Sequence, residues 1–237
     1  MTTLVDECKQ AAGPAWKYYE NHPWFEAMEN GTLPIERFIR FQVEDGPFIP
    51  YLHQTVALAL AKAPVGSPWS RAATTLLSDI FVGKELEAKR QIIESLGVRE
   101  PRFDRWALSP RREAYANHLL RTALEGSTAQ VAASLLPCTF FTQVVGRRFE
   151  SVDIKGPEAY RQWAKIYADK QMYNMLEAHI TMMEWEVRRE PSAREELIRL
   201  FVRSTQHQVA VFDDALKPGA PWPPVAHPDF APQVLDL

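Results

Sequence analysis

SPRREAYANHLLRTALEG, residues Ser109 to Gly126, opens with serine before proline and closes on glycine. A serine in that position can accept a hydrogen bond from the first free amides of a helix. Proline at the first helical position has no N–H to lose, and glycine suits the residue just past the last turn. The same punctuation recurs at Ser67-Pro68 with Gly97, and Ser192 followed by Glu195 has the spacing of a capping box. Between such stops apolar residues return every three or four positions: Trp69, Ala72, Ala73, Leu76, Leu77 and Ile80 in one segment, Leu197, Ile198, Phe201 and Val202 in another. Strand-like alternation bounded by hairpin turns is missing. The reading is all-α, a bundle of seven to eight helices over roughly 4–21, 34–62, 68–96, 110–125, 128–147, 157–188 and 193–216, with a short turn near 23–29.

Two segments depart from this regularity. Gly46-Pro47 and Pro50 lie inside the second long helix, where proline removes a hydrogen bond and crowds the carbonyl four residues back, so a kink is expected beside Asp45. Residues 217–237 carry six prolines in 21 positions and read as an extended tail behind a single helical domain over 1–216. A charge-free stretch from Gly126 to Gly146 is long enough to span a bilayer, but its serines, threonines and glutamines favour a helix enclosed by protein. No membrane partner is expected.

The chain has 237 residues, 46% of them hydrophobic, which suits one large domain with a core that needs no staples. A net charge of −3 argues against the clustered basic surface that nucleic acid requires. Two cysteines, Cys8 and Cys138, build no disulfide framework, and MTTLVDECKQ lacks the basic start of a secretory signal, so a reducing, cytoplasmic location is expected. Glycine-rich phosphate loops are absent. None of the six histidines has Glu, Asp or His three or four positions before it, so the paired spacing of helical dimetal sites is lacking.

A few polar residues stand among apolar neighbours. Cys138 follows Pro137 in the middle of the charge-free helix, where a lone cysteine is either an inert small hydrophobe or a site thiol. Asp45 sits within FQVEDGPF between apolar faces, and Tyr115, Tyr160 and Tyr167 fit a core with satisfied hydroxyls. Residue-level reading ends at an all-helical protein with one candidate thiol site.

HPWFEAMENGTLPIERFIRFQVED (22–45), SPRREAYANHLL (109–120), ASLLPC (133–138) with Gly146 eight residues on, AYRQWAKIYA (159–168) and FVRSTQHQVAVFDDA (201–215) resemble, in order and spacing, the successive motifs of the TenA (thiaminase II) family. The resemblance covers roughly residues 5–216. It implies a heme-oxygenase-like helical bundle with no metal or organic cofactor, usually a homotetramer and otherwise a dimer. It also implies hydrolysis at the methylene carbon of a 4-amino-2-methylpyrimidine during thiamin salvage. A cysteine thiolate attacks the ring, thiazole or an amine departs, and water adds. By position Cys138 matches the nucleophile, Asp45 the carboxylate that holds the ring nitrogen and amino group, and Phe48 the stacking aromatic. Tyr115 and Tyr167 match the tyrosines near the thiol and the ring.

The sequence also departs from that pattern. Gln208 stands where the family carries its catalytic glutamate, Thr142 replaces a pocket tyrosine, and Gly46-Pro47 replaces a polar-aromatic stretch. An amide cannot shuttle a proton, and general acid–base catalysis contributes about 10²–10⁴ in rate. Two readings stay open. One is a cysteine-dependent aminopyrimidine hydrolase; the other is a non-hydrolytic or different-substrate small-molecule-binding member of the same fold.

Overall fold

A computed structural model describes residues 2–70, 79–98, 108–168 and 170–226, and every regular element among them is helical. Helix α1 (Leu4–Glu20) starts at Thr3, whose hydroxyl accepts from the Asp6 amide at 3.1 Å while the Asp6 carboxylate accepts from the Thr3 amide at 3.0 Å. It breaks at Gly13, which takes φ 48° and ψ −115° ahead of Pro14, a conformation open to glycine and costly for residues with a Cβ. The expected short turn near 23–29 is a helix in its own right, α2 (Pro23–Glu29). Its first free amide, that of Trp24, is capped by His22 Nδ1 at 3.1 Å.

Helix α3 (Ile35–Ala61) runs on through Pro47 and Pro50. Helix α4 (Asp79–Ser95) is the described part of the segment expected at 68–96, and residues 71–78, with Ala72, Ala73, Leu76 and Leu77, lie outside the described residues. Helix α5 (Pro110–Glu125) has the expected ends: Ser109 Oγ accepts from the Arg112 amide at 3.3 Å, and the Gly126 amide donates to the Thr122 carbonyl at 2.8 Å.

The expected single helix 128–147 is three pieces. Helix α6 (Thr128–Thr139) gives way to a π-helical turn (Thr142–Arg147) and then to one turn of α-helix (Arg148–Glu150). The Tyr173 hydroxyl of the following long helix segment donates to the Thr142 carbonyl at 2.9 Å and so ties down the start of the π turn. The expected helix 157–188 is likewise two, α7 (Glu158–Tyr167) and α8 (Lys170–Arg189). Gly146 explains why the π turn and the end of α7 meet so closely: a Cβ there would collide with the Tyr167 carbonyl oxygen. Helix α9 (Arg194–Leu216) follows a single 3-10 turn (Pro191–Ala193), and the capping box expected from Ser192 and Glu195 is not formed. Ser192 donates instead to Glu190, because the 3-10 turn places the start of α9 one residue later than the box requires.

Helix α6 is the axis of the bundle. It packs against α8 on one side and α9 on the other, and α9 also packs on α1 and α5. Residues 128–150 are long and apolar enough to cross a membrane, yet 78% of their most apolar window is buried among the other helices. That burial is where the apolar surface finds its stabilisation. Beneath α6 an aromatic cluster joins α2, α3, α9 and the junction between α6 and the π turn, with Phe212 ring centroids 4.7 Å from Phe25, 5.2 Å from Phe41 and 5.4 Å from Phe141. Such pairs add about 0.5–1.5 kcal/mol each beyond their area. The described part of the tail lies on the bundle: the Trp222 indole donates to the Leu108 carbonyl at 2.9 Å, while 227–237 lie outside the described residues.

Candidate functional site

A cavity of about 110 Å³ opens above that aromatic cluster, and Phe41, Phe141 and Phe212 form its floor. Six of the seven residues singled out in the sequence line it: Asp45 and Phe48 from α3, Cys138 from α6, Thr142 from the π turn, Tyr167 from α7 and Gln208 from α9. Tyr115 does not. It stands behind Phe48, ring centroids 5.2 Å apart and nearly parallel, with His207 stacked on its other face at 5.5 Å. Its hydroxyl is buried and has no hydrogen-bond partner among the described residues.

Proline explains part of the thiol's setting. Pro137 leaves no amide of its own in the ladder, and its carbonyl accepts a hydrogen bond from the Tyr19 hydroxyl at 3.1 Å, fixing the backbone beside Cys138. Tyr19 in turn accepts from Gln208 Nε2 at 3.3 Å, so the amide is anchored on the same side as the thiol. Burial pushes the Cys138 thiol up to about 12, the nearby charges of Asp45 and Glu85 push the same way, and Arg112 and Lys89 oppose them. The resting group is a thiol. A thiolate forms only when a base takes its proton.

Another wall of the site carries charge that no local pattern along the chain brings together. Lys89 of α4 is wholly buried, its ammonium 2.5 Å from Asp45 Oδ2, 3.0 Å from the Tyr167 hydroxyl and 3.6 Å from Glu85 Oε1. Arg112 of α5 reaches Asp45 Oδ1 at 2.9 Å, and its guanidinium carbon lies 5.0 Å from the Phe41 ring and 5.1 Å from the Phe48 ring. Burial alone would raise the Asp45 carboxyl, but Lys89 and Arg112 together hold it below the ordinary range, so it is ionised. Each carboxylate oxygen binds one cation and keeps a lone pair for a further donor. Glu85, which accepts from the Tyr167 hydroxyl at 3.1 Å, is pushed the other way, by burial first and then by Asp45.

A family model described as TENA/THI-4/PQQC matches residues 9–217. The chain belongs to that family. Among its TENA/THI-4/PQQC relatives, an aminopyrimidine aminohydrolase of Bacillus subtilis is 26% identical over 179 residues, covering 76% of this chain and 75% of that one. An aminopyrimidine aminohydrolase of Helicobacter pylori is 21% identical over 208 residues, covering 87% and 95%. The fold is shared with solved TenA structures: a TenA homologue from Pyrococcus horikoshii superposes with TM-score 0.76 at 21% identity, over 92% of this chain and all of that one. A TenA family protein from Silicibacter superposes with TM-score 0.79 at 21% identity, over 91% and 97%.

Against this TENA/THI-4/PQQC background, Lys89, Glu85 and Arg112 are the residues sequence reasoning missed. Arg112 stands three positions before Tyr115, inside the quoted SPRREAYANHLL, and so could have been placed on the same helix face. Lys89 and Glu85 lie in a helix that none of the quoted motifs covers, and no local pattern separates them from a solvated i, i+4 pair.

Proposed function

We propose that this protein takes up a 4-aminopyrimidine of the kind derived from thiamin and hydrolyses it at the methylene carbon beside the ring, with Cys138 as nucleophile. The supporting observation is that Cys138 and the ionised Asp45 open on one cavity between aromatic walls. The names of the Bacillus subtilis and Helicobacter pylori relatives agree with that chemistry. In this reading Asp45 accepts from the amino group and a protonated ring nitrogen through the lone pairs that Lys89 and Arg112 leave. Phe48 covers the ring face, Tyr167 and Thr142 border it, and Tyr115 supports Phe48 from behind. The second reading, a binding protein on the same bundle, draws on Gln208, whose amide is turned to Tyr19 and cannot carry a proton.

Two measurements on 4-amino-5-aminomethyl-2-methylpyrimidine separate these. Calorimetry reads binding and an ammonia assay reads hydrolysis. The hydrolase reading expects both in the wild type, and Cys138→Ser is expected to retain binding while losing at least about 10³ in turnover, since a serine hydroxyl is far less acidic than a thiol and a far weaker nucleophile than a thiolate. Binding with no ammonia release would favour the second reading, and no binding would sink both.

A further inference from the structure

Two carboxylates line the cavity among the described residues, and their surroundings differ. Asp45 has a cation on each oxygen, at 2.5 and 2.9 Å. Glu85 shares Lys89 only at 3.6 Å, and its close partner is a neutral hydroxyl, that of Tyr167. Its side chain is 14% exposed, and that exposure borders the same cavity as the Cys138 thiol. Where paired carboxylates sit in such unlike environments, the doubly ion-paired one keeps a fixed charge and the other changes protonation. The position that could hold a carboxylate on the far wall is an amide, Gln208, already donating to Tyr19.

We propose that Glu85 is the acid–base group of this hydrolysis, in the role that the Gln208 amide cannot fill. The inference rests on the hydrolase reading above. The Glu85 carboxylate takes the proton from Cys138 Sγ as the sulfur forms its bond to the ring carbon next to the one bearing the methylene. The ring double bond shifts to the exocyclic carbon, the C–N bond breaks, and the departing amine receives that proton from Glu85. Water then adds to the exocyclic methylene, giving its proton to Glu85. The double bond returns to the ring, the C–S bond breaks, and the thiolate takes the proton back. Every proton that Glu85 accepts is delivered within the cycle, and no oxidant or reductant is needed. Burial and the neighbouring Asp45 charge raise the Glu85 carboxyl from its ordinary value, which suits a group that must both give and take. The other ionisable groups facing it are Lys89, Tyr167 and Cys138.

The test compares wild type, Glu85→Gln and the double variant Glu85→Gln with Gln208→Glu. Ammonia release from the aminomethyl-pyrimidine is followed across pH, and binding by calorimetry. In the wild type kcat/KM is expected to fall on acidification through an ionisation above the ordinary glutamate value of 4.5. Glu85→Gln should remove that limb and lower kcat by at least about 10²-fold, with affinity kept within about threefold. The double variant should regain at least about tenfold, by returning a carboxylate to the cavity from α9. Wild-type turnover that Glu85→Gln leaves unchanged overturns the role of Glu85 and leaves the hydrolase reading standing. Loss of affinity in step with turnover also overturns it, since Glu85 would then hold the ligand. A wild type that binds pyrimidine and releases no ammonia overturns both.

Discussion

The two walls of the cavity are built on opposite principles. On one, Asp45, Lys89, Arg112 and Glu85 come from three helices and meet as charges. On the other, Cys138 and Gln208 line the cavity as neutral groups, and behind them Tyr19 links the Pro137 carbonyl to the Gln208 amide by single hydrogen bonds. In the proposed reading the charged wall fixes where a ligand's donors must point. The neutral wall keeps the sulfur protonated until a base arrives.

Acid should separate the walls most strongly. His179 lines the cavity from α8, and His118 backs the neutral wall by its 2.8 Å bond to Ser204 of α9. Burial lowers both from 6.5 to about 4, and the positive neighbours of His118 add to the shift. The unfolded chain therefore takes up protons below pH 6.5 that the folded chain refuses until about 4. Stability is greatest above 6.5 and falls across that window, by up to about 1.4 kcal/mol per pH unit for each histidine. Asp45, held below its ordinary range, keeps its contribution until pH drops below about 4. Urea midpoints between pH 7 and 4 should show this decline, and a flat profile would mean that the histidines stay hydrated.

Breaking each wall once sharpens the contrast. Asp45→Asn removes the counter-charge from Lys89 and Arg112, whose side chains are 0% and 4% exposed, and should cost about 3–5 kcal/mol. Gln208→Leu loses one neutral hydrogen bond and should cost about 1 kcal/mol. Equal losses in chemical denaturation would erase the distinction. The smallest effect concerns reactivity. Cys8 and Cys138 are both pushed up to about 12, but Cys8 is wholly buried while Cys138 opens on the cavity. Iodoacetamide should modify Cys138 at least about tenfold faster, and the aminopyrimidine should slow that reaction. Matching rates without protection would return Cys138 to the core.

Helix ends were legible wherever a cap uses neighbours three or four residues apart. Ser109 caps α5 as read, and Ser204, Gln208 and Phe212, four residues apart in turn, are all buried along α9. The spacing failed at Ser192, where Glu190 competed for the same serine, and at Ala168, where one helix ends and the next begins with no glycine or proline to mark the break.

What the sequence determined by itself is whatever short-range hydrogen bonds and periodicity dictate: an all-α chain, most of its helix limits, and a thiol and a carboxylate on apolar helix faces. What only the tertiary structure decided is which charges meet. Lys89 lies 44 residues from Asp45, and Arg112 lies 67 residues from it. A buried ion pair is selected by how helices pack and by the cost of leaving a charge unpaired away from water. Neither term has a period or a spacing along the chain, so Lys89 and Glu85 read as a solvated pair until α3, α4 and α5 close around them.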